Sequence, residues 1–372
     1  MNPLARLRDH GQSVYVDEIR RSWLDDGTLQ AFIDTDGVRG VTSNPAIFQK
    51  AIAETEDYRP QIESLAKGGL DVDGIYEALV VDDIRRAADL FRPQWDHSDG
   101  RYGWVSLEVD PRLADDTERT VAEAEHLFAR VDRPNVFIKV PGTAAGVPAV
   151  KRLLRQGVPV NVTLLFGLDR YREVHEAYLA ALEERVAAGL APNVASVASF
   201  FLSRIDVAID PLLNDVASRG GAIAPRAAWL KGRIAVDNAK LAYAEWQEII
   251  AGERWRRLAE AGARPQRLLW ASTSAKNPDY SPVMYVDPLI GPDTVNTMPT
   301  ATLDAYRELG EPDERIGDGL DEAKRRMIEL AELGIDIDAV TARLEDEGVA
   351  KFVEPFEALR ATLAEAIEVA GA

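Results

Sequence analysis

The sequence predicts an α/β fold, a (β/α)8 TIM-type barrel with additional helices and a helical C-terminal tail, on three observations. Eight short apolar runs alternate with longer helical patterns, the order expected of a parallel sheet built from strand–helix crossovers. The runs are rich in Val and Leu without simple polar alternation, as strands covered on both faces should be. No Gly-x-Gly-x-x-Gly follows a strand, and no Walker-type Gly-Lys-Ser/Thr occurs, so the competing doubly wound sheet lacks its usual mark.

In chain order, the first strand is read at 13–17, with a helical stretch at 18–26. The second lies at 40–45 and the third at 102–109, followed by helix at 115–131. The fourth, 135–140, ends at a Pro-Gly turn signal and leads to helix at 145–156. The fifth, 158–165, precedes helix at 169–188, and the sixth, 193–201, precedes a long helical region to 260. The seventh is read at 267–272 and a short eighth at 294–299.

The 372 residues exceed the ~250 of a plain barrel. The surplus falls at about 46–100, 202–260 and 300–372, the last ending in an amphipathic stretch at 353–369. No Ser/Gly linker sets these apart, so 1–372 reads as a single domain with helical elaborations.

Composition narrows the chemistry. Hydrophobic residues make up 46%, enough for a sizeable core. There is no cysteine, which excludes disulfides, thiolate catalysis and Cys-ligated zinc. His10, His97, His126 and His175 are scattered, none at His-x-x-x-His spacing, which disfavours a zinc protease site. The net charge of −19 argues against nucleic-acid binding. No run approaches the ~18 apolar residues of a membrane span, and the first ten residues lack the apolar core of a secretion signal. A cytoplasmic protein with no membrane partner is expected. If its substrate is a phosphate ester, specific basic residues must overcome the acidic field locally.

Lys139 stands inside the apolar fourth strand. A lysine there is unusual. A desolvated amine loses proton affinity, and a neutral amine attacks carbonyls to give a Schiff base; the plainer reading is an amine that snorkels to water. Side chains alternate faces along a strand. Asp17 therefore shares a face with Tyr15, Glu108 with Ser106, Lys139 with Phe137, Asn161 with Thr163, and Ser199 with Phe201, while Ser272 and Ser274 follow Trp270. In a barrel the carboxyl ends of the strands converge on one mouth, which would bring Asp17, Glu108, Lys139, Asn161 and Thr163 together. Taken singly, each could equally be a cap or turn residue. Together they suit ketose or aldehyde chemistry. Two carboxylates in unlike surroundings can divide proton delivery from proton abstraction. Thr163 could hold a water, and Asn44, Asn161 and Ser199 could bind sugar hydroxyls.

With these residues placed, the chain resembles the transaldolase family, in its larger bacterial subgroup. The resemblance rests on GVTSNPAIF (40–48), VSLEVDPR (105–112), FIKVPGT (137–143), NVTLLF (161–166), ASFFLSRID (198–206), DNAKLAY (237–243) and WASTSAKN (270–277). Order and spacing hold from Asp17 to Pro299. The resemblance implies that Lys139 is the Schiff-base lysine and that Glu108 is the acid/base acting through a water held by Thr163. It makes Asp17 the base at the hydroxyl where the carbon–carbon bond breaks. Asn44, Asn161, Ser199 and Phe201 would line the sugar site. Arg204, Ser274 and Lys276 would face the phosphate, with Lys276 standing where many members carry a second arginine. A lysine cannot offer the bidentate fork of a guanidinium.

The implied reaction moves a dihydroxyacetone unit from sedoheptulose 7-phosphate to glyceraldehyde 3-phosphate, without metal or organic cofactor, in a monomer or homodimer. A fructose 6-phosphate aldolase of the same superfamily is the near alternative, although the resembling aldolases carry tyrosine at the position of Glu108. A non-catalytic binding barrel is the distant one, and fold alone would not separate them.

Overall fold

Eight parallel strands hydrogen-bond in chain order and close on themselves, β1 pairing with β8, in a computed structural model that describes residues 2–371. Met1 and Ala372, which the expected domain 1–372 included, lie outside the described residues. The strands are β1 (Ser13–Val16), β2 (Gly40–Val41), β3 (Trp104–Glu108), β4 (Val136–Pro141), β5 (Val160–Leu165), β6 (Ser196–Phe201), β7 (Arg267–Ala271) and β8 (Val295–Met298). Every strand residue is buried. The helices cover the outer face and the inner side chains fill the barrel, which is why the runs read as largely apolar.

The barrel expectation holds, and its departures have local causes. The helical stretch expected at 18–26 is shorter, Arg21–Asp25, and a second helix, Thr28–Asp36, follows Gly27, which sits in the left-handed region at φ 84°. β2 has only two residues. A Cβ on Gly40 would lie 2.5 Å from the Trp104 carbonyl oxygen and 2.7 Å from the Tyr15 ring, so that close approach admits glycine alone.

β5 is not the regular strand its sequence suggests. Its pairing with β6 shifts between Val162 and Leu165, and Leu164 has φ 62°. A bulky residue in that region costs on the order of 1–3 kcal/mol. The bulge lets Thr163 pair beside Pro141 of β4 while Leu165 resumes pairing with Phe200.

Register sets the site. Glu108 pairs with Lys139, and Lys139 with Asn161. The three therefore stand abreast on adjacent strands, roughly 4.8 Å apart from one to the next.

The three surplus regions are helical. The first forms Pro45–Ala53, Arg59–Lys67 and Val72–His97. The second forms Ser203–Ser218, Ile223–Leu230, Ile234–Ala251 and Glu253–Glu260. In the third, the amphipathic stretch expected at 353–369 is part of one 35-residue helix, Ile337–Gly371. At 1.5 Å per residue it is about 50 Å long. It packs on Pro45–Ala53, Arg59–Lys67, Val72–His97 and Ser203–Ser218. Phe356 meets Tyr76 edge to face at 5.1 Å, and Glu357 reaches Arg112 at 3.1 Å.

Candidate active site

Lys139 is 4% exposed and Glu108 5%. Lys139 Nζ lies 3.0 Å from Glu108 Oε2 and donates to the Ser43 carbonyl at 2.9 Å. Neither Glu108 oxygen has an aligned hydrogen bond, and the Thr163 hydroxyl, also buried, has no partner. Uncompensated polar atoms at one spot are costly, and here they stand around the buried Lys139 amine. Burial is the main force on both nearby carboxyls. It pushes Glu108 and Asp17 above their usual range, with the Lys139 charge opposing in each case.

Asp17 follows β1 and accepts from Thr42 Oγ1 at 2.6 Å; the same hydroxyl meets Thr297 Oγ1 at 2.5 Å. Asn44 caps the helix Pro45–Ala53 by accepting from Ile47 N at 3.0 Å, with Pro45 at the first helical position. It fills the capping role and lines the cavity as well.

That cavity, about 130 Å³, is lined by Asp17, Asn44, Lys139, Thr163, Ser199 and Phe201, with Arg204, Ser274 and Lys276 on its rim side. Asn161 lies beneath this lining. Its amide donates to Ser106 Oγ at 3.2 Å and accepts from Ser199 Oγ at 2.6 Å. The structure thus brings together all the residues expected at the mouth, with Glu108 and Asn161 flanking Lys139 on the neighbouring strands without lining the cavity.

Arg204 has a buried Nη1 without a partner and no carboxylate within ion-pair distance among the described residues. Its guanidinium lies 5.4 Å from the Phe201 ring centroid and 5.9 Å from that of Phe352. Lys276 Nζ donates to Ser274 Oγ at 2.6 Å. Burial lowers the proton affinity of both cations, and Lys276 is lowered further by Arg204. Two cations that repel across a cavity, with no carboxylate within ion-pair distance of either among the described residues, make a fitting place for an anion.

Sequence reasoning missed three contributors. Thr42 and the Ser43 carbonyl lay inside the segment 40–48 but carried no chemical signal of their own. Phe352, 4% exposed, comes from the C-terminal helix and stands 5.7 Å from Lys139 Nζ to its ring centroid. Only the amphipathic pattern of the tail hinted that it packs on something.

A larger cavity of about 640 Å³ lies between the helix Leu168–Ala187 and the C-terminal helix. Asp169, Glu173, Asp338, Glu345 and Asp346 line it, and its Arg170 is already paired with Glu173 and Glu345. Such a lining repels sugar phosphates.

A parallel barrel that presents a buried amine against a buried carboxyl at the C-terminal ends of its strands defines an enzyme built for carbonyl chemistry. The chain belongs to the Transaldolase/Fructose-6-phosphate aldolase family, whose model matches residues 14–363. It is 49% identical to a transaldolase of Mycolicibacterium paratuberculosis over 96% of this chain and 95% of that one. It is 48% identical to a transaldolase of Parafrankia sp. and 44% identical to transaldolase 2 of Nostoc sp., each over 98% of this chain and 97% of the relative.

Proposed function

We propose that the chain is a transaldolase in which Lys139 forms the Schiff base. The observation that carries this reading is the 3.0 Å contact between Lys139 Nζ and Glu108 Oε2, with Asp17 close enough to feel the same amine.

The ketose donor enters with its phosphate toward Arg204, Ser274 and Lys276. Lys139 Nζ attacks the C2 carbonyl carbon to give a carbinolamine. Glu108, made more basic by burial, takes the proton that the amine sheds and returns it to the departing hydroxyl, so water leaves and an iminium forms. A water held by Thr163 relays this transfer. Asp17 takes the proton from the C4 hydroxyl, the C3–C4 bond breaks, and its electrons pass into the enamine on Lys139. The aldose phosphate leaves. The enamine then attacks the aldehyde carbon of the acceptor, Asp17 returns the proton to the new hydroxyl, and hydrolysis frees the ketose and the amine. Asn44, Ser199 and, through Ser199, Asn161 position the sugar hydroxyls, with Phe201 as an apolar wall.

The reaction therefore passes dihydroxyacetone from sedoheptulose 7-phosphate to glyceraldehyde 3-phosphate, yielding erythrose 4-phosphate and fructose 6-phosphate. This places the chain among the transferases of the pentose phosphate interconversions, at work in the cytoplasm. Among the described residues no helix is long and apolar enough to cross a membrane. A coupled assay of the transfer checks the reading. Lys139→Ala should lower kcat by at least roughly four orders of magnitude, as loss of a covalent nucleophile does; normal turnover in that variant would end the Schiff-base account.

A further inference from the structure

The opposite end of the barrel holds a second, separate cavity of about 290 Å³. Its floor is made by Trp104, Phe137 and Arg267, and its mouth by Arg101, Arg264 and Asp293. Trp104 shares the inward face of β3 with Glu108, and Phe137 shares that of β4 with Lys139. The cavity floor is thus four residues, roughly 13 Å, below Glu108 on one strand. The two rings stack at 4.2 Å with an interplanar angle of 18°, and Trp104 Nε1 is already satisfied by the Gly100 carbonyl at 2.9 Å. The wall these rings form is therefore apolar, with Ser98 and Ser196 elsewhere in the lining.

Arg267 is the exception in the floor. It opens β7, is 8% exposed, and donates to Ser13 Oγ and to the Arg101 carbonyl at 3.2 Å each. Among the described residues it has no carboxylate within ion-pair distance, whereas Arg101 is paired with Asp293 and Arg264 with Asp99. Behind it, the half-buried Arg39 stacks on Tyr102 at 3.8 Å, also without a carboxylate in ion-pair distance among the described residues and with Nη1 unsatisfied, and Arg267 lies against the buried Tyr15 hydroxyl. A buried guanidinium without a counter-charge is expensive. In a chain of net charge −19, two neighbouring guanidiniums without a carboxylate, one buried and one half-buried, cannot be ascribed to an excess of basic residues.

We propose that this cavity is a second ligand site, distinct from the active site, that takes a small monoanion: a carboxylate on an apolar, preferably aromatic, body. Arg267 supplies the counter-charge and Trp104 and Phe137 the apolar wall. A dianion such as a phosphate monoester would bury more charge than the one unpaired guanidinium in the lining can offset. The size fits, since the cavity lies at the lower end of the range for small-molecule sites.

Calorimetric titration of the full-length chain with benzoate tests the site. Saturable binding in the millimolar range or tighter is expected, weaker by at least about tenfold for the uncharged isostere benzamide. Saturating fructose 6-phosphate should leave benzoate binding unchanged. The variant R267M should lose benzoate binding while still forming a borohydride-trapped adduct with fructose 6-phosphate, which reports an intact barrel. Should that variant fail to fold, the benzamide comparison and the sugar-phosphate competition on the unaltered chain decide. Absence of saturable binding, equal affinity for benzamide, displacement by fructose 6-phosphate, or undiminished binding in R267M would each overturn the proposal.

Discussion

At the scale of single residues, the site centres on the buried pair Glu108 and Lys139 with the half-buried Asp17 beside them. Burial raises Asp17 above the usual carboxyl range despite the opposing Lys139 charge. A raised folded-state value means the folded chain holds the extra proton as pH climbs, so ionising Asp17 costs stability above the unfolded value near ~4. Asp17→Asn removes that cost. We expect the variant to lose turnover and to melt higher than the parent, with a gap that opens as pH rises from about 4 and levels off once Asp17 is ionised in the folded parent. Melting curves across pH check this; a gap that closes with rising pH would have the wrong sign.

Arg204 answers a different question. Its unsatisfied Nη1 is read as the phosphate donor. Arg204→Ala should raise KM for phosphorylated donors by roughly one to two orders of magnitude and leave dihydroxyacetone, which has no phosphate, nearly unaffected. Equal losses for both would remove its phosphate role. These residues were legible because strand alternation is strict. Parity puts Glu108 with Ser106 and Asp17 with Tyr15 on one face of their own strands, and convergence of the strand ends in a barrel brings those faces together. Asn161 shows the limit of parity, which gives the face but not the depth: its amide is used by Ser106 and Ser199 below the cavity floor.

At the scale of elements, the strands were readable and the long-range contacts were not. All eight runs were read as strands from their largely apolar content, but the second, read at 40–45, is a strand only over Gly40–Val41, where Gly40 meets the Tyr15 ring and the Trp104 backbone. The bulge at Leu164 left no mark in NVTLLF, since the strain is fixed by pairing to β6 rather than by the local residues. The C-terminal helix was visible as amphipathic, but nothing in its own sequence said which surface it covers. Its Phe352 roofs Lys139 and Arg204. An apolar roof keeps water from the enamine. We therefore expect Phe352→Ala to release dihydroxyacetone from fructose 6-phosphate several-fold faster relative to transfer, with Phe352→Leu in between. Product analysis with and without acceptor measures the ratio, and an unchanged ratio would reduce Phe352 to a packing residue.

At the scale of the whole molecule, the acidic composition and the anionic substrate are reconciled by location. The net charge of −19 is an excess of carboxylates, and many basic residues are neutralised in surface ion pairs, as Arg254 is by Glu176 and Glu183, while among the described residues Arg204 and Lys276 at the cavity have no carboxylate within ion-pair distance. The barrel turns four distant segments into one site: β1, β3, β4 and the tail supply Asp17, Glu108, Lys139 and Phe352. All of this serves one claim, that Lys139 is the covalent nucleophile. Its most direct test is reduction with borohydride in the presence of fructose 6-phosphate, followed by digestion and mass spectrometry of the peptides. A single three-carbon adduct is expected on the peptide containing Lys139, absent without the sugar phosphate. An adduct on any other lysine, or none, would contradict it.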